Sequence, residues 1–298
     1  MTNTPPTLGF IGLGVMGGPM CRNVAVKHAA PVWAFDMSVT ALDAVVAAGA
    51  QRAGSVAEVA ENADVVFLSL PGGKQVEAVC LGEGGLASAA RPGLTVIDLS
   101  TTGVAEARDI ASRLAEQGIA FVDAPVARTR QAAIDGTLSI MVGASPEIFA
   151  QVQPLIAYMA SDITLCGSVG CGQVVKLVNN TLLFEQVAAI AEMMVVAERA
   201  GVTPAKLIEA VSLGSGDSFA LRNHAKKAMA TREFPEHAFP SPYVLKDLAY
   251  AIDLAEMMGV EPRLARLAAD YYQAAVDRGI GAKYFPAIIE LIDKDGTR

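Results

Sequence analysis

The chain has 298 residues, of which 52% are hydrophobic and 18% charged, enough apolar material for two domain cores and too much for a disordered or fibrous protein. Its 23 basic against 31 acidic residues give a formal charge of −8, with no basic stripe for a duplex and no polybasic cluster for an anionic membrane. Four cysteines without C-x-x-C spacing and three histidines (His28, His224, His237) rule out a disulfide scaffold and supply no zinc-ligand set, so no metal is expected. Met1–Thr7 is short and polar and leads into no signal-length apolar run. Charges or amides interrupt the apolar stretches before the ~18 residues of a membrane span. A reduced, soluble, cytoplasmic protein is expected.

In chain order, Leu8–Ile11 predicts a strand and Met16–Lys27 a helix, and Val32–Phe35 with Ser38–Ala47 repeats the pair. Helix Ser55–Asn62 precedes strand Val65–Leu70; helix Lys74–Leu81 precedes strand Leu94–Ile97. Helix Val104–Glu116 leads to strands Ala120–Val122 and Ser139–Val142. Such alternation predicts βαβ units and a mostly parallel, doubly wound sheet that binds ligands at its carboxyl edge. After Cys166 the pattern changes. A run from Gln173 to Ala200 has helical spacing and no proline, and Gly201 stops it. Thr203-Pro204 then has the form of an N-cap with proline at the first helical position. Pro204–Ser212, Phe219–Ala230, Val244–Met258 and Leu264–Arg278 all read as helices. The expected organisation is a Rossmann-type domain over 1–168 and an all-α substrate and oligomerisation domain over 169–298.

Gly12-Leu13-Gly14-Val15-Met16-Gly17 is G-x-G-x-x-G between a predicted strand and a predicted helix. Gly12 permits the tight turn, Gly14 lets backbone approach a pyrophosphate, and Gly17 lets helix and strand pack closely. The helix N-terminus offers its N–H groups to the anion. Asp36 ends the second strand, where a carboxylate accepts hydrogen bonds from a ribose diol and repels a 2′-phosphate. NAD is therefore the expected cofactor, in preference to NADP.

Four motifs occur in order: Gly9-Phe10-Ile11-Gly12-Leu13-Gly14-Val15-Met16-Gly17, Asp98-Leu99-Ser100-Thr101, Gly172-Gln173-Val174-Val175-Lys176-Leu177-Val178-Asn179-Asn180 and Lys246-Asp247-Leu248. Together they resemble the β-hydroxyacid dehydrogenase family, which includes 3-hydroxyisobutyrate dehydrogenase and tartronate semialdehyde reductase. The resemblance implies Lys176 as catalytic lysine, Asn180 beside it in the substrate site, and Lys246 reaching toward the cofactor. It implies that Val15, Met16, Asp36, Leu70 and Thr101 line the dinucleotide. Helical spacing independently sets Asn179, Asn180 and Leu183 on the face of Lys176. A homodimer or homotetramer is also implied.

The resemblance breaks in two places. The family places Ser-Gly-Gly after D-x-P-V to hold a substrate carboxylate, whereas Asp123-Ala124-Pro125-Val126 is followed here by Ala127-Arg128-Thr129-Arg130-Gln131. Arginine is a planar fork of donors suited to carboxylate, phosphate or sulfonate, so Arg128 and Thr129 are expected to grip the substrate anion. An Arg-Thr pair here resembles the sulfolactaldehyde reductase branch. The second departure is Gly279-Ile280-Gly281-Ala282-Lys283-Tyr284-Phe285-Pro286 in place of a loop ending in Asp-x-Ser; lid and helix cap are both open for it. The expected activity is reversible hydride transfer between NAD and a short anionic 3-hydroxy acid or hydroxy-sulfonate, sulfolactaldehyde reductase-like. 3-Hydroxyisobutyrate dehydrogenase or tartronate semialdehyde reductase is the alternative, and a non-catalytic NAD-binding module the alternative from another class.

Overall fold

The computed structural model describes residues 5–236 and 238–295, so Met1–Thr4, His237 and Gly296–Arg298 lie outside the described residues. It divides into two compact units, Met1–Lys176 and Leu177–Arg298.

The first unit is built on strands β1 (Leu8–Ile11), β2 (Val32–Phe35), β3 (Gln51–Arg52), β4 (Val65–Leu68), β5 (Thr95–Asp98), β6 (Ala120–Asp123), β7 (Val126–Ala127), β8 (Leu138–Gly143) and β9 (Ala160–Gly167). Their order is β3-β2-β1-β4-β5-β6-β8-β7, with β9 beside β8. Strands β1 to β6 are mutually parallel. Strand β8 runs antiparallel to β6 and β7 and parallel to β9. The chain winds outward from β1 to β3 and then restarts at β4 on the other side of β1. That reversal is the switch point at which doubly wound sheets open a ligand crevice.

Helices α1 (Gly17–Lys27), α2 (Val39–Val46), α3 (Val56–Asn62), α4 (Gly73–Leu81), α5 (Leu86–Ala89), α6 (Val104–Ala115), α7 (Arg130–Asp135) and α8 (Pro146–Ile156) complete this unit. Successive strand residues feed opposite faces. Leu8, Phe10, Phe67, Ile97 and Val122 enter one apolar core, and Ile11, Val66, Leu68, Val96 and Phe121 enter the other. Burial on both faces is why these strands read as unbroken apolar runs. Strand β4 stops two residues short of the predicted Leu70. The Ser69 N–H still donates to the Ile11 carbonyl, but the Leu70 N–H turns to the Ser100 hydroxyl.

The second unit holds most of α9 (Cys171–Arg199), then α10 (Pro204–Val211), a π-helix (Ala220–Met229), α11 (Ser241–Met257), α12 (Arg263–Asp277), a 3-10 turn (Phe285–Ile288) and α13 (Ile289–Asp295). Thr203 caps α10 as its sequence predicts, its hydroxyl accepting from the Lys206 N–H. Phe219–Ala230 is not an α-helix; bonds such as Ala230 N–H to the Ala225 carbonyl give the wider turn. By length and mean hydropathy α9 is long and apolar enough to cross a membrane, although Lys176, Asn179, Asn180 and Glu185 interrupt its apolar run as expected. Its Phe184, Val187, Ala191, Met194 and Val195 are instead buried in the core of the second unit.

The altered segment near the C-terminus is a strap. Tyr284 N–H donates to the Pro235 carbonyl and Phe285 N–H to the Phe239 carbonyl, while Ser241 N–H, at the start of α11, donates to the Gly281 carbonyl. Phe285 meets Phe184, Phe239, Tyr272 and His224 in one aromatic cluster.

Candidate active site

The glycine loop follows β1 at the carboxyl edge. Gly12 has φ +91°, and a Cβ there would lie 2.2 Å from the Ser69 carbonyl oxygen. At Gly17 a Cβ would lie 2.0 Å from the Gly12 oxygen, whereas at Gly14 it would meet nothing within 4 Å. Two positions are closed against protein and the middle one is open, the pattern a pyrophosphate needs. Asp36 accepts from the Leu13 N–H at 2.6 Å and the Ser38 N–H at 2.7 Å. A carboxylate has about four acceptor sites, so capacity for a ribose diol is left. Val15 is exposed and Met16 half-buried ahead of α1, and Leu70 and Thr101 follow β4 and β5 on the same edge. These residues fit a dinucleotide.

The start of α9 is fastened to that edge. Asp123, fully buried at the end of β6, accepts from the Gly170 N–H at 2.7 Å and the Gln173 N–H at 2.8 Å. Burial pushes its carboxyl above the usual range, against the pull of these backbone donors. Gln173, also fully buried, donates to the Ser100 carbonyl at 2.8 Å and accepts from the Thr102 N–H at 3.2 Å. Ser100 accepts from Leu70 N–H and donates its own N–H to Asp98. Lys176 is half-buried one turn beyond Gln173.

In the second unit, Asn180 is buried and donates to the Asp247 carboxylate at 2.7 Å. Asn179 donates to the Asn180 side-chain oxygen at 3.1 Å, and the other Asp247 oxygen lies 3.2 Å from the Lys246 ammonium. Leu183 packs on the core. Four residues carry these arrangements without having been assigned a role: Ser100, Asp123, Gln173 and Asp247. All four lie inside quoted motifs, so the signal was their company with Thr101, Pro125, Lys176 and Lys246.

In the loop after β7 two side chains have partners within the protein. The Arg128 guanidinium donates to the Thr137 carbonyl at 2.6 Å and the Ser161 hydroxyl at 2.8 Å, and pairs with Asp162 at 2.7 Å. These partners on and beside β8 and β9 occupy the fork that was expected to grip a substrate. The Gln131 amide is likewise turned along α7 to Asp135. Ala127 pairs with Ser139 across β8, and Thr129 is the N-cap of α7 without a side-chain cap bond. Arg130, exposed at the first position of α7, has no hydrogen bond or ion pair among the described residues.

The family model described as the NAD binding domain of 6-phosphogluconate dehydrogenase matches residues 7–167. That described as NAD-binding of NADP-dependent 3-hydroxyisobutyrate dehydrogenase matches residues 170–292. The chain belongs to the β-hydroxyacid dehydrogenase family. It is 35% identical to 2-(hydroxymethyl)glutarate dehydrogenase of Eubacterium barkeri, over 95% of this chain and 94% of that one. It is 33% identical to the NAD-dependent L-serine dehydrogenase of Pseudomonas aeruginosa, over 96% and 97%. The structure of Mycobacterium tuberculosis 3-hydroxyisobutyrate dehydrogenase with L-serine superposes with a TM-score of 0.88 at 32% identity, covering 97% of this chain and 99% of that one. This family member is an NAD-dependent 3-hydroxyacid dehydrogenase acting on CH–OH.

Proposed function

We propose that this dehydrogenase interconverts a 2-substituted 3-hydroxypropanoate and its semialdehyde, with NAD preferred over NADP. The observation that carries the reading is Lys176 one turn before Asn180 on α9, with Asn180 locked by the buried Asp247. When bound, the nicotinamide supplies or accepts the hydride. Lys176 gives a proton to the carbonyl oxygen in reduction and takes it from the hydroxyl in oxidation. Asn180, fixed on its far side, orients the lysine or the substrate oxygen. The loop Ala127–Arg130 holds the acid end, with Arg130 rather than Arg128 as the donor fork and Thr129 beside it. The Asp36 carboxylate disfavours a 2′-phosphate by like charge.

The names of the three relatives support the substrate class, since 2-(hydroxymethyl)glutarate, L-serine and 3-hydroxyisobutyrate share a primary alcohol β to a carboxylate. A hydroxy-sulfonate is the second reading, since the fork of Arg130 suits either anion and the Arg128-Thr129 pair resembles the sulfolactaldehyde reductase branch. The exposed apolar residues Val178, Leu182, Met193 and Val196 of α9 support a homo-oligomer, and the four free cysteines support the reducing cytoplasm.

The test is NADH formation at 340 nm with those three hydroxy acids, the reduced form of sulfolactaldehyde and a neutral alcohol, repeated with NADP. The expected result is the highest kcat/KM on a 3-hydroxy carboxylate with NAD. Highest activity on the sulfonate establishes the second reading, and no turnover of any anionic alcohol overturns both.

A further inference from the structure

The Gln173 side chain joins two parts of the first unit that the proposed chemistry uses together. It is fully buried, and its partners are both backbone groups, the Ser100 carbonyl at 2.8 Å and the Thr102 N–H at 3.2 Å. A carbonyl can only accept and an N–H can only donate, so these partners fix which end of the amide points where. The two bonds flank Thr101, the residue of this segment expected to line the dinucleotide. The Gln173 N–H is held in turn by Asp123, and Lys176 lies three residues on, next to Gln173 on the helix surface.

The placement leaves little slack. A Cβ at Gly172 would lie 2.4 Å from the Met141 carbonyl oxygen and 2.9 Å from that of Asp123, so the first turn of α9 rests directly on strand backbone. Ser100 is anchored on its other side by the Leu70 N–H and the Asp98 carboxylate. Displacement of the Thr101 segment is therefore passed through a buried side chain, pinned at both ends of its amide, to the turn that carries Lys176. Ordinary surface packing offers no such route, because one amide here satisfies backbone groups on both sides of a single residue.

We propose that Gln173 is a positioning residue that couples the Thr101 segment to the Lys176 turn, so that a dinucleotide settling against Thr101 also sets the lysine. The kinetic consequence rests on the proton-carrying role proposed for Lys176; the coupling itself does not.

Amide hydrogen exchange of the full chain with and without NADH tests the coupling without any substrate. NADH is expected to slow exchange across residues 173–178 of the wild type, and Gln173→Leu, which fills the space but makes neither bond, is expected to abolish that slowing. Gln173→Asn, one methylene too short to span both partners, serves where the leucine variant does not fold, and loses at least half of the effect. Kinetically, a folded variant is expected to lose about 100-fold in kcat, the scale for a misplacement of about 1 Å. Its NADH Kd changes less than about threefold, and the isotope effect with deuterated NADH rises as the chemical step becomes limiting. Equal NADH protection of 173–178 in wild type and both variants overturns the proposal, as does its absence from the wild type. A parallel loss of melting temperature, NADH affinity and kcat with an unchanged isotope effect overturns it too, assigning Gln173 to structure alone. Intact coupling in a wild type that turns over no hydroxy acid refutes the role of Lys176 and leaves the coupling standing.

Discussion

Acidification should destabilise the second unit through His224. The residue is 8% exposed, its Nδ1 lies 2.6 Å from the Tyr284 hydroxyl, and its Nε2 is buried with no hydrogen-bond partner among the described residues. Phe219 and Phe285 pack against the ring. Burial, with the Lys227 charge second, pushes its pKa down from 6.5 to about 4. Above pH 6.5 the ring is neutral folded and unfolded and contributes no pH dependence. Between pH 6.5 and about 4 only the unfolded chain takes the proton, so stability falls as pH falls; below about 4 both states are charged and the loss levels off. A shift of this size, at 1.36 kcal/mol per pKa unit, is worth about 3 kcal/mol over the window. Urea unfolding at pH 7.5 and 4.5 measures it, with His224→Phe as the variant that cannot titrate. The variant loses the Tyr284 contact at every pH, so the quantity of interest is the change between the two pH values. That change should be smaller in His224→Phe by about 3 kcal/mol. Equal changes in both proteins refute the reasoning.

Four further outcomes are expected. Lys176→Ala should retain NADH binding by fluorescence titration and lose at least ~10²-fold in turnover, the lower end for a positioned acid–base group. Arg128→Gly should leave kcat/KM on anionic substrates unchanged and melt no lower than wild type, because glycine relieves a residue at φ +84° while only an exposed ion pair and two hydrogen bonds are lost. Arg130→Ala should lower kcat/KM at least about tenfold on anionic but not neutral alcohols, the scale of a lost charged hydrogen bond; the reverse ranking of the two arginines restores Arg128 as the anion clamp. Gly143→Ala should lower stability by about 1–3 kcal/mol in thermal melts, since its Cβ would lie 2.1 Å from a buried Asp123 oxygen that has no room to retreat.

The sheet was legible where both faces of a strand are buried, because Leu8–Ile11 and Val65–Leu68 then carry apolar residues at every position. Strand β9 was not, since Ser161, Asp162 and Thr164 give it a largely solvated, polar edge, and Pro154 within α8 mimics a helix stop. Local chemistry also marked the glycine loop and Asp36, while the Lys176 motif was legible through the family resemblance. Gln173, Asp123 and Asp247 escaped because what they do depends on partners far away in the chain. Arg128 shows the converse: a sequence displays a charge but not the carboxylate on another strand that absorbs it.

The bonds at Asp123 bear on how such domains can be exchanged between relatives. The donors that satisfy this buried carboxylate are main-chain N–H groups of Gly170 and Gln173, and Gly170, at φ +91°, holds a conformation that favours glycine. Between them, Gly172 is restricted, because any Cβ there runs into strand backbone. A chimera joined just after β9 must therefore bring glycine at positions 170 and 172 and keep Gln173, whose amide serves the Ser100 carbonyl and the Thr102 N–H.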